Sequence, residues 1–486
     1  MNLTLAEVAE AVGAEQPSDP LSSERVTGMT WDSRSVTPGD LYVAFVGERA
    51  DGHDFVDAAV DAGAAAVLAS KPVDAAIPVF MVNDTSRAVA DLAAYWRKCL
   101  TSTVIGLTGS SGKTTTKNLV RDVLARELNV VATKANQNNE LGVPATLLAA
   151  DADTQMIVVE MGMRGLGQIA ELAKIAQPNW GLVTNVGTSH VELLGSREAI
   201  AQAKAELYEA LPEGHGLAFV NADDDFAQQM RASARLEERG VGVVYYSGSG
   251  GDRAVQAAAG RGVSFPFVWA SDIHLDEFAR PTFMMNAIGF EQLELPNANG
   301  SLRCSLDMRG LHNVSNACAA AAVGLAAGMS LESCCAALEA AQPEAGRQRV
   351  LRSAAGVTVV DDAYNANPDS MAASLATFSA LDVQGCKVAV LGDMLELGDY
   401  ASESHRHVGT LAAGSGVQLL VCVGPLSRLT AEAAKDAGMD DSAVITCDNA
   451  ESALDAVACR LGEGDAVLVK ASHSIGLERV VEGLVD

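Results

Sequence analysis

VIGLTGSSGKTTTKNLV, residues 104–120, is the stretch on which the reading of this chain turns. An apolar run of strand character leads into a Gly/Ser loop, and a helix is expected from about Lys113. That order suits a polyphosphate. Consecutive backbone N–H groups point inward, a helix N-terminus adds positive potential, and Lys113 reaches the terminal phosphates. Thr114 offers a hydroxyl to magnesium. The common consensus places a glycine five residues before Gly112, where this chain has Leu107. Gly106 and Gly109 flank that position instead. A bare Gly-Lys-Thr string arises by chance, but the flanking strand and helix make this a nucleotide triphosphate loop.

Outward from the loop, apolar strand-like runs recur at residues 156–162, 181–187 and 217–223, with helical stretches between them. Near-continuous apolar strands alternating with helices indicate a parallel sheet covered on both faces. Residues 247–262 are rich in Gly, Ser and Ala and read as a loop. Residues 263–306 read as short strands without helices, a β-rich excursion. A long alanine-rich helix and a second helix follow. QPEAGRQR, residues 342–349, then breaks the pattern, and strand–helix alternation restarts beyond it. The first eighty or so residues read as a small α/β unit. The expected fold is therefore α/β in three domains. They are a small α/β N-terminal domain (1–84), a central P-loop parallel sheet with a β-rich excursion (85–345), and a C-terminal Rossmann-like domain (346–486).

Composition bounds the function. The 486 residues are 49% hydrophobic and 20% charged, which excludes a disordered chain. Sixty-two acidic against 34 basic residues give a formal charge of −28. Nucleic acid and anionic membranes need a basic surface, so neither is an expected partner. No run of eighteen apolar residues offers a membrane span, and no signal peptide is visible. Nine cysteines without CxxC or zinc spacing read as reduced thiols. A cytoplasmic protein, as a monomer, is the expectation.

Further landmarks follow in order: KANQNNELGVPATLL from Lys134, Glu160 closing MIVVE, TNVGTSHVELLGS carrying His190, AKAEL carrying Lys204, and MRGLHNVSNACAA carrying His312, Asn313 and Asn316. Read as chemistry alone, several stay open. Glu160 at a strand's carboxyl end is a hard ligand for magnesium or a helix-capping acid. His190 is a metal ligand or a structural histidine, since imidazole favours zinc or copper over magnesium. Lys204 is one of ten lysines, and its alternative is a plain surface side chain. Asn313 and Asn316 share a helical face and match the adenine edge, or they cap the helix.

Taken together, these motifs resemble those of the Mur ligase superfamily. The resemblance implies ATP at Gly109, Ser110, Ser111, Gly112, Lys113, Thr114 and Thr115, with Asn139, Asn313 and Asn316 on the nucleotide. It implies magnesium held by Thr114, Glu160, His190 and Lys204, the lysine being carbamylated. Lys113, Glu160, His190 and Lys204 are the implied catalytic set. WDSRS and DGHDF resemble the UDP-sugar-binding domain of the ligases that extend a peptide on muramic acid, which implies substrate contacts at Ser33, Arg34 and His53. VVDDAYNANPDSM and LGDMLELG followed by HRHVG resemble the C-terminal domain of the member that adds D-alanyl-D-alanine. Arg347, Asp362, Tyr364 and Asn365 fall on its nucleotide side, and Asn367, His405, Lys470 and Ser472 on its substrate side. VKASHS departs from the more usual Lys-Gly-Ser-Arg by placing Ala471 and His473. The implied reaction is ATP-dependent joining of D-Ala-D-Ala to UDP-MurNAc-tripeptide through an acyl phosphate, for peptidoglycan. Competing readings are another ligase of the superfamily, such as a folylpolyglutamate synthase, and a P-loop switch. The latter would need the guanine-reading NKxD string, which is absent.

Overall fold

A computed structural model describes residues 1–16, 21–47, 50–189, 191–250, 266–295 and 298–485. The glycine-rich stretch read as a loop lies mostly outside these residues, and His190 lies outside them altogether. At the amino end, β1 (Leu3–Thr4) and β2 (Arg25–Val26) pair antiparallel. Beyond them β3 (Gly28–Thr30), β4 (Asp40–Val43), β5 (Ala66–Ala69) and β6 (Val79–Met81) form a parallel sheet in that order.

The expected boundary at residue 84 falls at the start of the helix Thr85–Cys99, whose N-cap Asp84 accepts from the N–H groups of Ser86 and Arg87. Leu92, Ala93 and Trp96 of this helix belong to one buried cluster with Leu3 and Leu5 on one side and Val104 and Leu147 on the other. The first domain is thus welded to the second by a shared core. Each fully buried Leu in that seam contributes roughly 1.5–3 kcal/mol.

The central strands are β7 (Thr103–Thr108), β8 (Val130–Ala132), β9 (Met156–Glu160), β10 (Trp180–Val183), β11 (Leu217–Asn221), β12 (Gly242–Ser247), β13 (Phe267–Leu275), β14 (Pro281–Ile288) and β15 (Gly300–Ser305). Among the described residues they form one sheet ordered β15-β14-β13-β12-β11-β10-β7-β9-β8. Alternate residues go to opposite cores. Val104, Ile157, Val159 and Val183 face one side, and Ile105, Leu107, Val158 and Leu182 face the other. Both faces being buried is why these strands read as unbroken apolar runs. The β-rich excursion is no separate body. β13 pairs parallel with β12, and β14 and β15 continue the same sheet antiparallel. Strand order reverses between β7 and β10, which opens the crevice at their carboxyl ends where open α/β sheets bind ligands.

The C-terminal strands are β16 (Arg349–Arg352), β17 (Thr358–Asp361), β18 (Lys387–Gly392), β19 (Leu419–Val423), β20 (Val444–Cys447) and β21 (Ala466–Lys470). They form a second sheet, β16-β17-β21-β18-β19-β20, parallel except for β16. The two domains join at Gly346, where φ is +73° and the N–H donates to Asp361 Oδ2 at 2.8 Å. They touch again where the Asp382 N–H donates to the Glu277 carbonyl at 2.9 Å. No helix among the described residues is long and apolar enough to cross a membrane.

Within the C-terminal domain the helices Ala401–Gly414 and Ser427–Asp436 approach so closely that a Cβ on Gly409 would lie 2.2 Å from the Thr430 carbonyl oxygen. Backbone cannot yield as a side chain does. Gly409→Ala is expected to destabilise the protein by roughly 1–3 kcal/mol, despite alanine's better helix propensity, as overpacking does. Urea unfolding of the two proteins checks it; a more stable variant contradicts the packing.

Candidate active site

Ser110, Ser111, Gly112, Lys113, Thr114, Thr115, Asn139, Glu160, Asn313, Asn316, Arg347, Asp362, Tyr364, Asn365, Asn367, Lys470 and Ser472 line a single cavity of about 1530 Å³. It lies at the carboxyl end of the central sheet, with the C-terminal domain as its opposite wall. Trp31 brings the N-terminal domain to its edge.

The loop after β7 is braced from β10. Ser110 N–H donates to the Asn185 carbonyl at 3.0 Å, and Ser111 N–H to Asn185 Oδ1 at 3.0 Å. A Cβ on Gly109 would lie 1.8 Å from Thr184 Oγ1, so only glycine passes there. Gly112 has φ +74° and opens the helix Lys113–Leu124. Lys113 Nζ donates to the Gly109 carbonyl at 2.8 Å, folded over its own loop. Burial lowers its pKa, and Arg347 pushes the same way against Glu160.

Glu160 is 1% exposed at the end of β9. Its Oε1 accepts from Asn138 Nδ2 at 2.8 Å and Thr114 Oγ1 at 3.3 Å. Its Oε2 is buried without a hydrogen-bond partner, as is Ser110 Oγ. An orphaned carboxylate oxygen beside a phosphate loop fits a divalent cation, because buried polar atoms are otherwise satisfied. Lys204, on the helix Arg197–Glu209, is also 1% exposed. Burial and the nearby Lys113 hold its amine well below the usual lysine range, while Asp224 opposes them. Among the described residues no three His, Cys, Asp or Glu converge as a metal cluster; the expected set relies on His190, which lies outside them, and on Thr114 and Lys204.

Arg347 comes from the other domain. Its Nη2 donates to Thr114 Oγ1 at 3.0 Å, and its guanidinium lies 4.2 Å over the Tyr364 ring. Lys470 Nζ lies 2.9 Å from Asp362 Oδ2 and donates to the Asn365 carbonyl at 2.8 Å. Ser472 Oγ accepts the Leu395 N–H at 3.0 Å. Asn367 caps the helix Pro368–Ala380, and its Nδ2 donates to Ser189 Oγ at 2.6 Å. Beside it Asp369 Oδ2 accepts the Thr188 N–H at 3.1 Å. His473, where an arginine was expected, tilts against Tyr364 with ring centres 5.7 Å apart.

Several expected residues sit elsewhere or do something else. His405 is fully buried away from the cavity. Its Nε2 accepts the Met394 N–H at 3.0 Å and its Nδ1 pairs with the Ala401 carbonyl at 2.7 Å. Both ring nitrogens are engaged, and the ring braces the LGDM loop. His53 is likewise committed. Nδ1 pairs with Asp51 at 2.6 Å and Nε2 accepts the N–H groups of Ser70 and Lys71. Arg34 and Ser33 lie in a turn outside the cavity, where Arg34 pairs with Asp32 at 2.8 Å and stays largely exposed. Asn139 Oδ1 accepts the Gly142 N–H at 3.1 Å, at the start of the helix Gly142–Leu148, and its neighbour Asn138 holds Glu160. Asn313 and Asn316 line the cavity, yet Asn316 Nδ2 donates to Asn313 Oδ1 at 2.9 Å and Asn316 Oδ1 accepts from Thr116 at 3.1 Å. They tie their helix to the phosphate-loop helix. Sequence reading passed over Asn138, Asn185 and Lys117, although all three stand inside motifs it quoted. His312, a landmark to which the sequence assigns no role, has its pKa driven down to about 4 by burial.

Three family models match successive segments of the chain. The Mur ligase middle domain covers residues 107–324, the Mur ligase glutamate ligase domain 346–473, and the Mur ligase family catalytic domain 25–97. The chain is 40% identical to the UDP-N-acetylmuramoyl-tripeptide–D-alanyl-D-alanine ligase of Mycobacterium tuberculosis, covering 100% of this chain and 98% of that one. A crystal structure of MurF from Acinetobacter baumannii superposes with a TM-score of 0.82 at 30% identity, covering 100% and 99%. MurF ligase from Thermotoga maritima, in complex with ADP, does so at 0.74 and 27% identity, covering 94% and 97%. Phosphate loop, flanking domains and full-length similarity agree, and the chain belongs to the Mur ligase family.

Proposed function

We propose that this chain is the ATP-dependent ligase that joins D-alanyl-D-alanine to UDP-N-acetylmuramoyl-tripeptide, giving the pentapeptide precursor of peptidoglycan. The observation that carries the reading is one cavity shared by the phosphate loop, Glu160 and the C-terminal trio Arg347, Asp362 and Lys470. The full-length similarity to the ligase of Mycobacterium tuberculosis supports it.

In this reading ATP lays its phosphates along Ser110 to Thr114, and Lys113 exchanges the Gly109 carbonyl for phosphate oxygens. The terminal carboxylate of the tripeptide attacks the γ-phosphorus. The bond from that phosphorus to ADP breaks, and an acyl phosphate forms. Lys113 and Arg347 offset the negative charge that develops. Magnesium, when bound, neutralises charge on the phosphates; Thr114 and Glu160 are the residues to hold it, together with His190 and the carbamate of Lys204. The amine of D-Ala-D-Ala then adds to the acyl carbon. The tetrahedral adduct loses inorganic phosphate and a proton, leaving the amide. Walls contributed by both large domains keep water from the acyl phosphate.

A carbamate on Lys204 has a physical ground. Burial and Lys113 favour the neutral amine, which is the form that adds carbon dioxide, releasing one proton and leaving an anionic oxygen pair.

Mass spectrometry of a mixture holding ATP, UDP-MurNAc-tripeptide and D-Ala-D-Ala is expected to show the pentapeptide, with one phosphate released per amide. Phosphate release that ignores the dipeptide would contradict the assignment. In the same assay Lys113→Ala should lose about a hundredfold or more in kcat, because that amine opposes charge in the transition state. For Lys204, carbon-13 NMR of enzyme in labelled bicarbonate is expected to show a carbamate resonance that Lys204→Arg lacks, and Lys204→Ala should regain activity with added acetate. A fully active Lys204→Arg enzyme would remove the carbamate from the scheme.

A further inference from the structure

Lys117 has no place in the mechanism above, yet it is among the largest fully buried side chains. It stands one helical turn after Lys113 on the helix Lys113–Leu124, and so on the same face. Its Nζ donates to the Ala135 carbonyl at 2.7 Å and lies 3.8 Å from Glu160 Oε2. Both side chains are 1% exposed. Oε2 is the carboxylate oxygen that has no hydrogen-bond partner. The other oxygen is held by Asn138, three residues beyond Ala135 on the same loop. Ala135 has φ +45°, a backbone state that a non-glycine residue keeps only under outside constraint. One ammonium therefore grips the loop that carries Asn138 and faces the oxygen that Asn138 leaves open.

We infer that Lys117 is a positioning residue, which fixes the Asn138 loop and through it presents Glu160 to the divalent cation that accompanies the nucleotide. The inference rests on the ligase reading only in taking a magnesium nucleotide as the ligand. Charge and position predict opposite signs. A cation 3.8 Å from Glu160 repels a metal ion, so its loss by electrostatics alone would strengthen metal binding. If Lys117 acts by holding the carboxylate in place, its loss weakens metal binding instead.

The test uses the full-length protein with ADP and manganese(II), whose free ion is read by electron paramagnetic resonance. Lys117→Met should weaken manganese binding about ten- to a hundredfold, as removal of a group behind a metal ligand does. ADP affinity in EDTA, measured by calorimetry, should stay within about twofold of the parent, since no phosphate contact is lost. Lys117→Arg, which keeps the charge and a donor for the Ala135 carbonyl, should recover most of the metal affinity. In the double variant with Asn138→Ala the two losses should not multiply, because both act through one carboxylate. If Lys117→Met does not fold, Lys117→Gln takes its place in the same titration. Unchanged or tighter manganese binding, or an equal loss of ADP affinity in EDTA, would overturn the inference. Ligation need not be measured, so a parent that binds manganese–ADP without making pentapeptide would count against the ligase reading alone.

Discussion

A single carboxylate kept out of water sets the terms for everything around it. An ionised group buried at the end of a strand is costly unless donors and opposite charge surround it. Glu160 draws these from separate segments: Thr114 and Lys117 from the phosphate-loop helix, and Asn138 from the loop after β8. Thr114 in turn takes a hydrogen bond from Arg347, which belongs to the other large domain. The phosphate-loop helix and the C-terminal domain are thus joined at Thr114 by a polar contact, with Asn367 on Ser189 and Asp369 on Thr188 beside it.

What a reader of the sequence could see follows from where the physics is local. The strand–loop–helix at residues 104–120 carries its own signal, because a buried strand, a glycine turn and a helix start are all neighbours in the chain. The runs around Ile157 and Leu182 were legible since both faces of each strand are apolar. The C-terminal alternation was visible for the same reason. Val388 and Val390 enter one core, and Ala389 and Leu391 the other.

What escaped depended on distant parts. That β13 to β15 extend the central sheet is a matter of pairing with β12, which short strands do not announce. His53 and His405 looked like substrate contacts from their motifs, yet a motif does not say whether a ring nitrogen meets solvent or a backbone N–H. Asn138 and Asn139 are adjacent, and only the direction of the loop decides which one reaches Glu160. Lys117 offered a usable signal, a second lysine four residues after the first on a phosphate-loop helix, in a chain with ten lysines in all. A buried ammonium needs partners.

The C-terminal domain meets the rest at the Gly346 peptide, at the bond from Asp382 to Glu277, and across the cavity where Arg347 reaches Thr114, Asn367 reaches Ser189 and Asp369 reaches Thr188. Glu277 sits in the turn between β13 and β14, and Ala279 of the same turn is buried in the C-terminal core. The strands that extend the central sheet thus also carry it to the C-terminal domain, and a change in that turn is felt in two domains at once.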